Sequence, residues 1–452
     1  MEDMTSQLPD NILISIILSI PTKDAIRTSI LSRRWRNLTR FLPAFDFSCR
    51  CQYVSTCPSK AISNGVHGFL QRHYASLPFF KLCCCLAESH THDTFEQCIS
   101  SLGKLGIEKL ILQLSCKNLA PEFSFSCHLL SQMPSLQYFT LRYCSLQPNL
   151  QYSCNSLKML KLSKVKGPPG SLECILSNCL SLCSLTLKRC DFPSKLCFRG
   201  PNLKLKCLSI HDCDGLTEIE FYASNLMIFE LYSIHMVNLI FEYVPQLQSI
   251  YLSAIFEEVM PYVCRRLVNE LPHLKTLLLD NIEEFFEQGG STDMGINMFK
   301  FNNLKRLDLG MFHVYTFNLF DLTPLLHSCP LLEEFHLSAD AAYYNWADEG
   351  KHVVFHSHLK NVELNGFSGT KEEIAFASYI LKSAINLRLM NMSWYCCWYA
   401  GFGEWEVDDA PSSGGGAFCK VDESIQQLEH QAVSKAAQLI FQQFPQTVPK
   451  QF

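Results

Sequence analysis

Apolar positions recur along this chain in one arrangement, apolar-x-x-apolar-x-apolar. Its clearest copies are LKMLKL (Leu157 to Leu162), LCSLTL (Leu182 to Leu187), LKTLLL (Leu274 to Leu279) and LKRLDL (Leu304 to Leu309). Thirteen starting positions fit it: Leu77, Ile107, Leu136, Leu157, Leu182, Leu205, Leu226, Leu247, Leu274, Leu304, Leu332, Leu359 and Leu387, spaced 21 to 30 residues apart. The closing alternation has the period of a strand. In LLSQMPSL, ILSNCLSL, LVNELPHL, LLHSCPLL and ILKSAINL an apolar pair stands seven residues before the repeat position. Such pairs predict a helix that ends, turns and feeds the strand. Each unit therefore reads as one helix plus one strand.

A lone unit of that size cannot cover its apolar face, whereas stacked neighbours bury every leucine. The pattern predicts an α/β solenoid of the leucine-rich-repeat kind, with a curved parallel sheet on one side and helices on the convex side. The competing reading is a leucine-rich α/β domain of ordinary topology, and thirteen copies in order weigh against it.

The first 45 residues carry another pattern. Leu8-Pro9 opens a helix with Ile12, Leu13, Ile16, Ile17 and Ile20 along one broad apolar side, closed by Pro21. Ile12, Leu13 and Ile17 are expected in its core. A second short helix holds Ala25, Ile26 and Ser29, and Ser32 is placed to cap a third with Trp35 and Leu38. Glu2, Asp3 and Asp10 replace the basic lead of a secretory signal, and Pro21 cuts the apolar run short of a membrane span. The chain is expected to be soluble, in the cytoplasm, the nucleus or both. Its 23 cysteines then read as reduced core thiols, since Cys83-Cys84-Cys85, Cys49/Cys51 and Cys396/Cys397 lack metal-ligand spacing.

LPDNILISIILSIPTKDAIRTSILSRRWRNL resembles an F-box of the form common in plants, without a gap from Leu8 to Leu38. The resemblance implies three helices docking onto the Skp adaptor, and through it cullin, of a Skp-cullin-F-box ubiquitin ligase. It places Leu8, Pro9, Ile16, Ile20, Pro21, Leu31 and Trp35 at the adaptor. HLKNVELNGFSGTKEEIAFASYILKSAINLRLM, His358 to Met390, is similar to the FBD region that closes many plant F-box proteins with leucine-rich repeats. The expected organisation is an F-box over 1–45, a linker over 46–65 and the solenoid over 66–393 with its FBD-like part at 355–393; the resemblance stops at about Met392, and the residues beyond it read as a flexible linker over 394–420 and a helix of unassigned role over 421–452. Ile425, Leu428, Ala432, Val433, Ala436 and Leu439 give that helix its spacing.

Between the buried positions of each strand stand residues of the opposite, concave face. In the first five units these are Phe79, Lys81 and Cys83; Lys109, Ile111 and Gln113; Tyr138, Thr140 and Arg142; Met159, Lys161 and Ser163; Ser184, Thr186 and Lys188. Each unit offers one base and no acid. Later units offer His211, Glu230, Tyr232, Tyr251, Asp280, Arg306, Asp308, Glu334, His336 and Glu363. A dipolar groove is one reading, its first half drawing acidic segments and its second half basic ones. A solvated, soluble face is the other. The candidate target contacts are Lys81, Lys109, Tyr138, Arg142, Lys161, Lys188, Tyr232, Tyr251, Asp280, Asp308, Glu334 and Glu363. Two insertions, EEFFEQGGSTDMGINMF and ADAAYYNWADEGKHVVF with Trp346, break the periodicity as loops.

A formal charge of -5 argues against nucleic acid as the main partner, and Arg33, Arg34, Arg36 and Arg40 read as a solvated helix face. No GxSxG, HExxH, GxxxxGK or strand-linked GxGxxG is present, so no cofactor or catalytic residue is expected. The expected function is non-catalytic: capture of a protein target for ubiquitination. An interaction scaffold or a small-molecule sensor without a ligase role are the alternatives.

Overall fold

The computed structural model describes residues 7–20, 22–39, 42, 44–48, 59–73, 75–84, 92–115, 123–149, 152–200, 203–254, 266–280, 300–311, 318–339, 354–401, 404–407, 428 and 430–442. Two compact units divide the chain, Met1–Asn225 with Asn238–Tyr243, and Leu226–Val237 with Val244–Phe452.

The first unit opens with helices α1 (Asp10–Ser19), α2 (Thr22–Arg27) and α3 (Arg33–Leu38). Strands β1 (Ala44–Ser48), β2 (Phe79–Cys83), β3 (Lys109–Gln113), β4 (Ser124–Ser126), β5 (Tyr138–Gln147), β6 (Met159–Lys166), β7 (Ser184–Lys188), β8 (Lys195–Arg199), β9 (Cys207–His211), β10 (Glu218–Tyr222) and β12 (Asn238–Tyr243) follow. Seven of them form a parallel path β1-β2-β3-β5-β6-β7-β9, with β4 added to the end of β5. The second unit carries a parallel path β11 (Ile228–Ser233), β13 (Ser249–Ala254), β14 (Thr276–Asp280), β15 (Arg306–Met311), β16 (Glu334–Ala339), β17 (Asn361–Asn365), β18 (Leu389–Ser393), β21 (Gln438–Gln442). An antiparallel hairpin, β19 (Cys397–Gly401) and β20 (Glu404–Val407), precedes the last of these strands.

Each of the thirteen repeat positions lies two residues before a sheet strand, and none is more than 2% exposed. Burying a leucine is worth about 1.5–3 kcal/mol, so the repeat positions supply much of what holds neighbouring turns together. Register is locked at most strand entries among the described residues. The amides of Glu108 and Lys109 both donate to the Pro78 carbonyl at 3.0 and 2.8 Å, and those of Gln137 and Tyr138 repeat the bond to Glu108. In the second unit Lys305 and Arg306 do the same to Lys275, and Glu333 and Glu334 to Lys305. One carbonyl thus accepts two bonds per turn, and a one-residue slip would break both.

Helical turns stand where the upstream apolar pairs predict them, at Cys127–Gln132, Ser171–Asn178, Val268–Glu270, Thr323–His327 and Lys371–Ser383. The rule of one helix per strand fails in the middle. There β8, β10 and β12 form a second parallel sheet, β12-β10-β8. Starts at Leu182, Leu205, Leu226 and Leu247 lie only 23, 21 and 21 residues apart, too few for a further helix of several turns, and KLCFR, EIEFY and NLIFEY alternate as strands do.

Both ends of the expected repeat array also differ. Residues 46–65 are not simply a linker: Asp46–Ser48 finish β1, which pairs with β2, and helix α4 (Ser59–Leu70) begins at Ser59. Phe45 on β1 stacks on Phe69 and Phe80, with ring centroids 4.0 and 5.5 Å away. At the other end, β21 adds a strand beside β18 where the apolar spacing predicts a helix. Leu428 is helical, but Ala432, Val433 and Ala436 lie in turn and coil and Leu439 in the strand; Ile425 is outside the described residues. Periodicity in a segment this short fits both forms, and the open edge of β18 selects the strand.

Candidate functional site

Two surfaces are candidates for contact with other proteins. The first is the N-terminal module. Leu13, Ile17, Ala25, Trp35, Leu38 and Leu42 form its core. Ser32 caps α3 by accepting from the Trp35 amide at 3.2 Å. The Arg34 guanidinium bonds Asp10 at 2.7 Å and the Leu8 carbonyl at 2.6 Å, which ties α3 to the start of α1.

That core leaves large aliphatic side chains exposed on two elements, α1 and the turn before α3. Ile12 is 43% exposed, Ile16 37%, Ile30 81% and Leu31 60%. Of the expected adaptor residues, Ile16, Leu31 and Pro9 are exposed, Leu8 and Ile20 are half-buried, and Pro21 lies outside the described residues. Trp35 is a correction: at 4% exposed it belongs to the core, because the cap at Ser32 turns α3 so that its indole faces Leu13 and Ile17. Ile12 is the opposite correction, lying four residues before Ile16 on the outer side of α1. Ile30 escapes the sequence reading, since a short 3-10 turn at Thr28–Ile30 gives no periodic signal.

The second surface is the outer face of the first unit's sheet. Its rows follow the register: Phe79, Lys109, Tyr138, Met159, Ser184; then Asp46, Lys81, Ile111, Thr140, Lys161, Thr186; then Cys83, Gln113, Arg142, Ser163, Lys188. Lys109, Tyr138, Arg142 and Lys188 are exposed, and Lys81 and Lys161 are half-buried. Lys81 bonds Asp46 at 2.9 Å, a hydrogen bond that holds its ammonium above the ordinary lysine range.

In the second unit the corresponding face is largely closed. Tyr399 of β19 stacks on Tyr251 with ring centroids 5.1 Å apart, and Trp405 of β20 meets Tyr399 edge-on at 5.4 Å. Leu278 and Ile228 complete the cluster. The Tyr399 hydroxyl donates to Glu230, and the Cys397 amide donates to Ser338 Oγ at 2.8 Å. The hairpin, in a stretch expected to be flexible linker, therefore lies on outward positions of β11, β13, β14 and β16.

Several expected target contacts are accordingly internal. Tyr251, Asp280 and Asp308 are 4%, 6% and 0% exposed. Ser253 bonds Asp280 at 3.1 Å. Asp308 accepts from Arg306 at 2.8 Å and lies 2.6 Å from His336 Nδ1. Burial would raise the Asp308 carboxyl, but the charges and bonds of His336 and Arg306 outweigh it and hold the group below its ordinary range. Glu334 pairs with Arg306 and Glu363 with His336, both at 3.7 Å, while Tyr232 is half-buried. The acidic half of the expected groove is engaged within the unit. Trp346 and the glycine-rich insertion lie outside the described residues.

Comparison with known proteins matches residues 5–55 to the F-box domain and residues 70–449 to the family model described as At1g61320/AtMIF1, LRR domain. The chain belongs to this F-box/leucine-rich-repeat family. The F-box/FBD/LRR-repeat protein At1g78750 of Arabidopsis thaliana is 24% identical over 434 residues, covering 86% of this chain and 89% of that one. The F-box/FBD/LRR-repeat protein At5g56420 is 30% identical, covering 46% of this chain and 49% of the relative, and the putative F-box protein At1g67390 is 26% identical, covering 51% and 49%. Against these two Arabidopsis relatives the F-box/leucine-rich-repeat chain spans about half of their length. An internalin from Listeria monocytogenes aligns with 86% of this chain and 96% of its own at 13% identity and a TM-score of 0.28, and the fold rests instead on the strand register given above.

Proposed function

We propose that this chain is the substrate receptor of a Skp-cullin-F-box ubiquitin ligase, acting in the cytoplasm or nucleus. Its F-box holds the Skp adaptor, its repeats hold a protein target, and other subunits carry out transfer. Holding both at once raises the effective concentration of target lysines at the transfer site, so no residue of this chain needs to do chemistry.

The observation that carries this reading is the exposure of Ile12, Ile16, Ile30 and Leu31 on an F-box that has a buried core of its own. Exposed aliphatic side chains grouped on a small module mark a contact surface. The test is co-purification of the full chain with a recombinant Skp adaptor. Ile16→Glu combined with Leu31→Glu is expected to abolish adaptor capture with the thermal midpoint unchanged, because both side chains face solvent. Undiminished capture would overturn the reading.

A further inference from the structure

Strands β3, β5, β6 and β7 contain Lys109, Arg142, Lys161, Lys164, Lys166 and Lys188, and not one carboxylate, in a chain whose formal charge is -5. Arg189 follows directly. Among the described residues, Lys166 pairs with Asp191 at 3.1 Å and Arg189 with Asp212 at 3.2 Å, the two cations each more than half exposed. We infer that this face and its rim dock an acidic, extended segment of a protein target. The inference deepens the receptor reading and rests on it for the word target.

A second observation, from backbone conformation, points to the same rim. Tyr143, Lys164, Arg189 and Asp212 have φ of 58°, 52°, 51° and 48°. Each follows the third outward position of its strand, Arg142 and Ser163 inside the long strands β5 and β6 and Lys188 and His211 at the ends of β7 and β9. A side chain in the left-handed region is strained, and glycine relieves it. At the equivalent place after β17 stands Gly366, φ 81°. Four consecutive turns of the first unit instead keep a side chain there, and two of the four are cations. Lys164 Nζ lies 5.0 Å from the Tyr143 ring centroid and Arg189 pairs with Asp212, so neighbouring members of the row touch two by two.

Dimensions and chemistry select the occupant. Four strands at about 4.8 Å spacing span about 14 Å, the length of roughly four extended residues. Tyr138, 42% exposed, and Met159 beside it give an apolar foothold that a peptide side chain can use. Carboxylates at two-residue intervals can reach Lys109, Lys161 and the Arg142–Lys188 row in turn. A footprint this short is less than half a turn of duplex, which disfavours nucleic acid.

The experiment uses the full chain co-purified with Skp adaptor and fluorescence anisotropy of a labelled twelve-residue peptide, (Glu-Glu-Tyr) repeated, beside its Gln-for-Glu counterpart and a single-stranded DNA of equal charge. Expected are binding at least tenfold tighter for the acidic peptide than for the Gln peptide, loss of at least tenfold in the Lys109→Gln, Arg142→Gln, Lys188→Gln triple variant, and weakening with added salt. Lys164→Gly with Arg189→Gly is expected to weaken binding severalfold while the thermal midpoint stays or rises, which separates docking from fold. Equal binding of the two peptides, full binding by the triple variant, or tighter binding of DNA would overturn the inference. Adaptor capture, read on the same samples, reports on the receptor reading separately.

Discussion

The Tyr399 hydroxyl donates to the Glu230 carboxylate across 169 positions of sequence, with both residues at most 9% exposed. This bond fastens the β19–β20 hairpin to the sheet of the second unit. Removing one donor from a buried carboxylate costs about 1–3 kcal/mol. Tyr399→Phe is therefore expected to destabilise the second unit by that amount, and Trp405→Ala to loosen the hairpin by removing the ring that meets Tyr399 edge-on. Limited proteolysis checks it: both variants should be cut faster near residues 397–407 than wild type. An unchanged rate would mean that the hairpin is held by other contacts.

Acid should weaken the second unit in two steps. His356, 8% exposed, is pulled down to about 4 by burial and then by the charge of His327. The folded state refuses a proton that the unfolded state accepts near 6.5, so stability is full above that pH and falls between 6.5 and about 4, by about 3 kcal/mol at most. Below about 4 a second loss sets in, because Asp308 is held below its ordinary range and Glu333 down to about 2 by bonds to Lys305 and Lys360. Their contribution is full above the unfolded value and lost as pH falls through the folded one. Denaturant midpoints measured from pH 7 to 3 should show both slopes, and His356→Gln should flatten only the upper one.

What can be read from sequence follows from the range of each interaction. Leu157, Leu182, Leu274 and Leu304 announce themselves because every turn repeats the same burial problem at short range. The hairpin does not, since Tyr399 and Glu230 are joined only by the finished fold, and WYCCWYAGFGEWEV carries no period. Trp35 and Leu31 differ for a similar reason. Both are large apolar residues in adjacent helical turns, and only the position of α1 decides which one faces it. Shorter spacing after Leu182 does signal the change from helix to strand between repeats, in the alternation of KLCFR and EIEFY. Period two locates the concave positions, but their accessibility depends on what the chain lays over them.

Trp35 should behave as a core residue. Trp35→Ala is expected to cost about 3–5 kcal/mol and to unfold a module this small, so that adaptor capture is lost together with helical circular dichroism. Leu31→Ala, at 60% exposed, should leave the helical signal intact. A Trp35→Ala chain that keeps its helical signal but loses the adaptor would return the indole to the contact surface.

Gly366 joins the repeat fold to the hairpin. Its φ of 81° already disfavours a side chain, and a Cβ there would lie 1.9 Å from the Ala339 carbonyl oxygen and 2.8 Å from Cys396 Sγ. Ala339 ends β16, and Cys396 is the residue from which β19 departs, so the glycine fills a gap with no slack on either side. Gly215 has the same φ of 81°, and a Cβ there would meet no atom within 4 Å. Comparing the two substitutions isolates the steric cost from the backbone cost. Gly215→Ala should destabilise by about 1 kcal/mol, the strain of a left-handed residue alone. Gly366→Ala should exceed about 3 kcal/mol and also speed proteolysis at the hairpin, because relief of the clash must move either the end of β16 or Cys396. Equal urea-unfolding losses for the two variants would show that β17 has room to shift and that the hairpin is not anchored through this glycine.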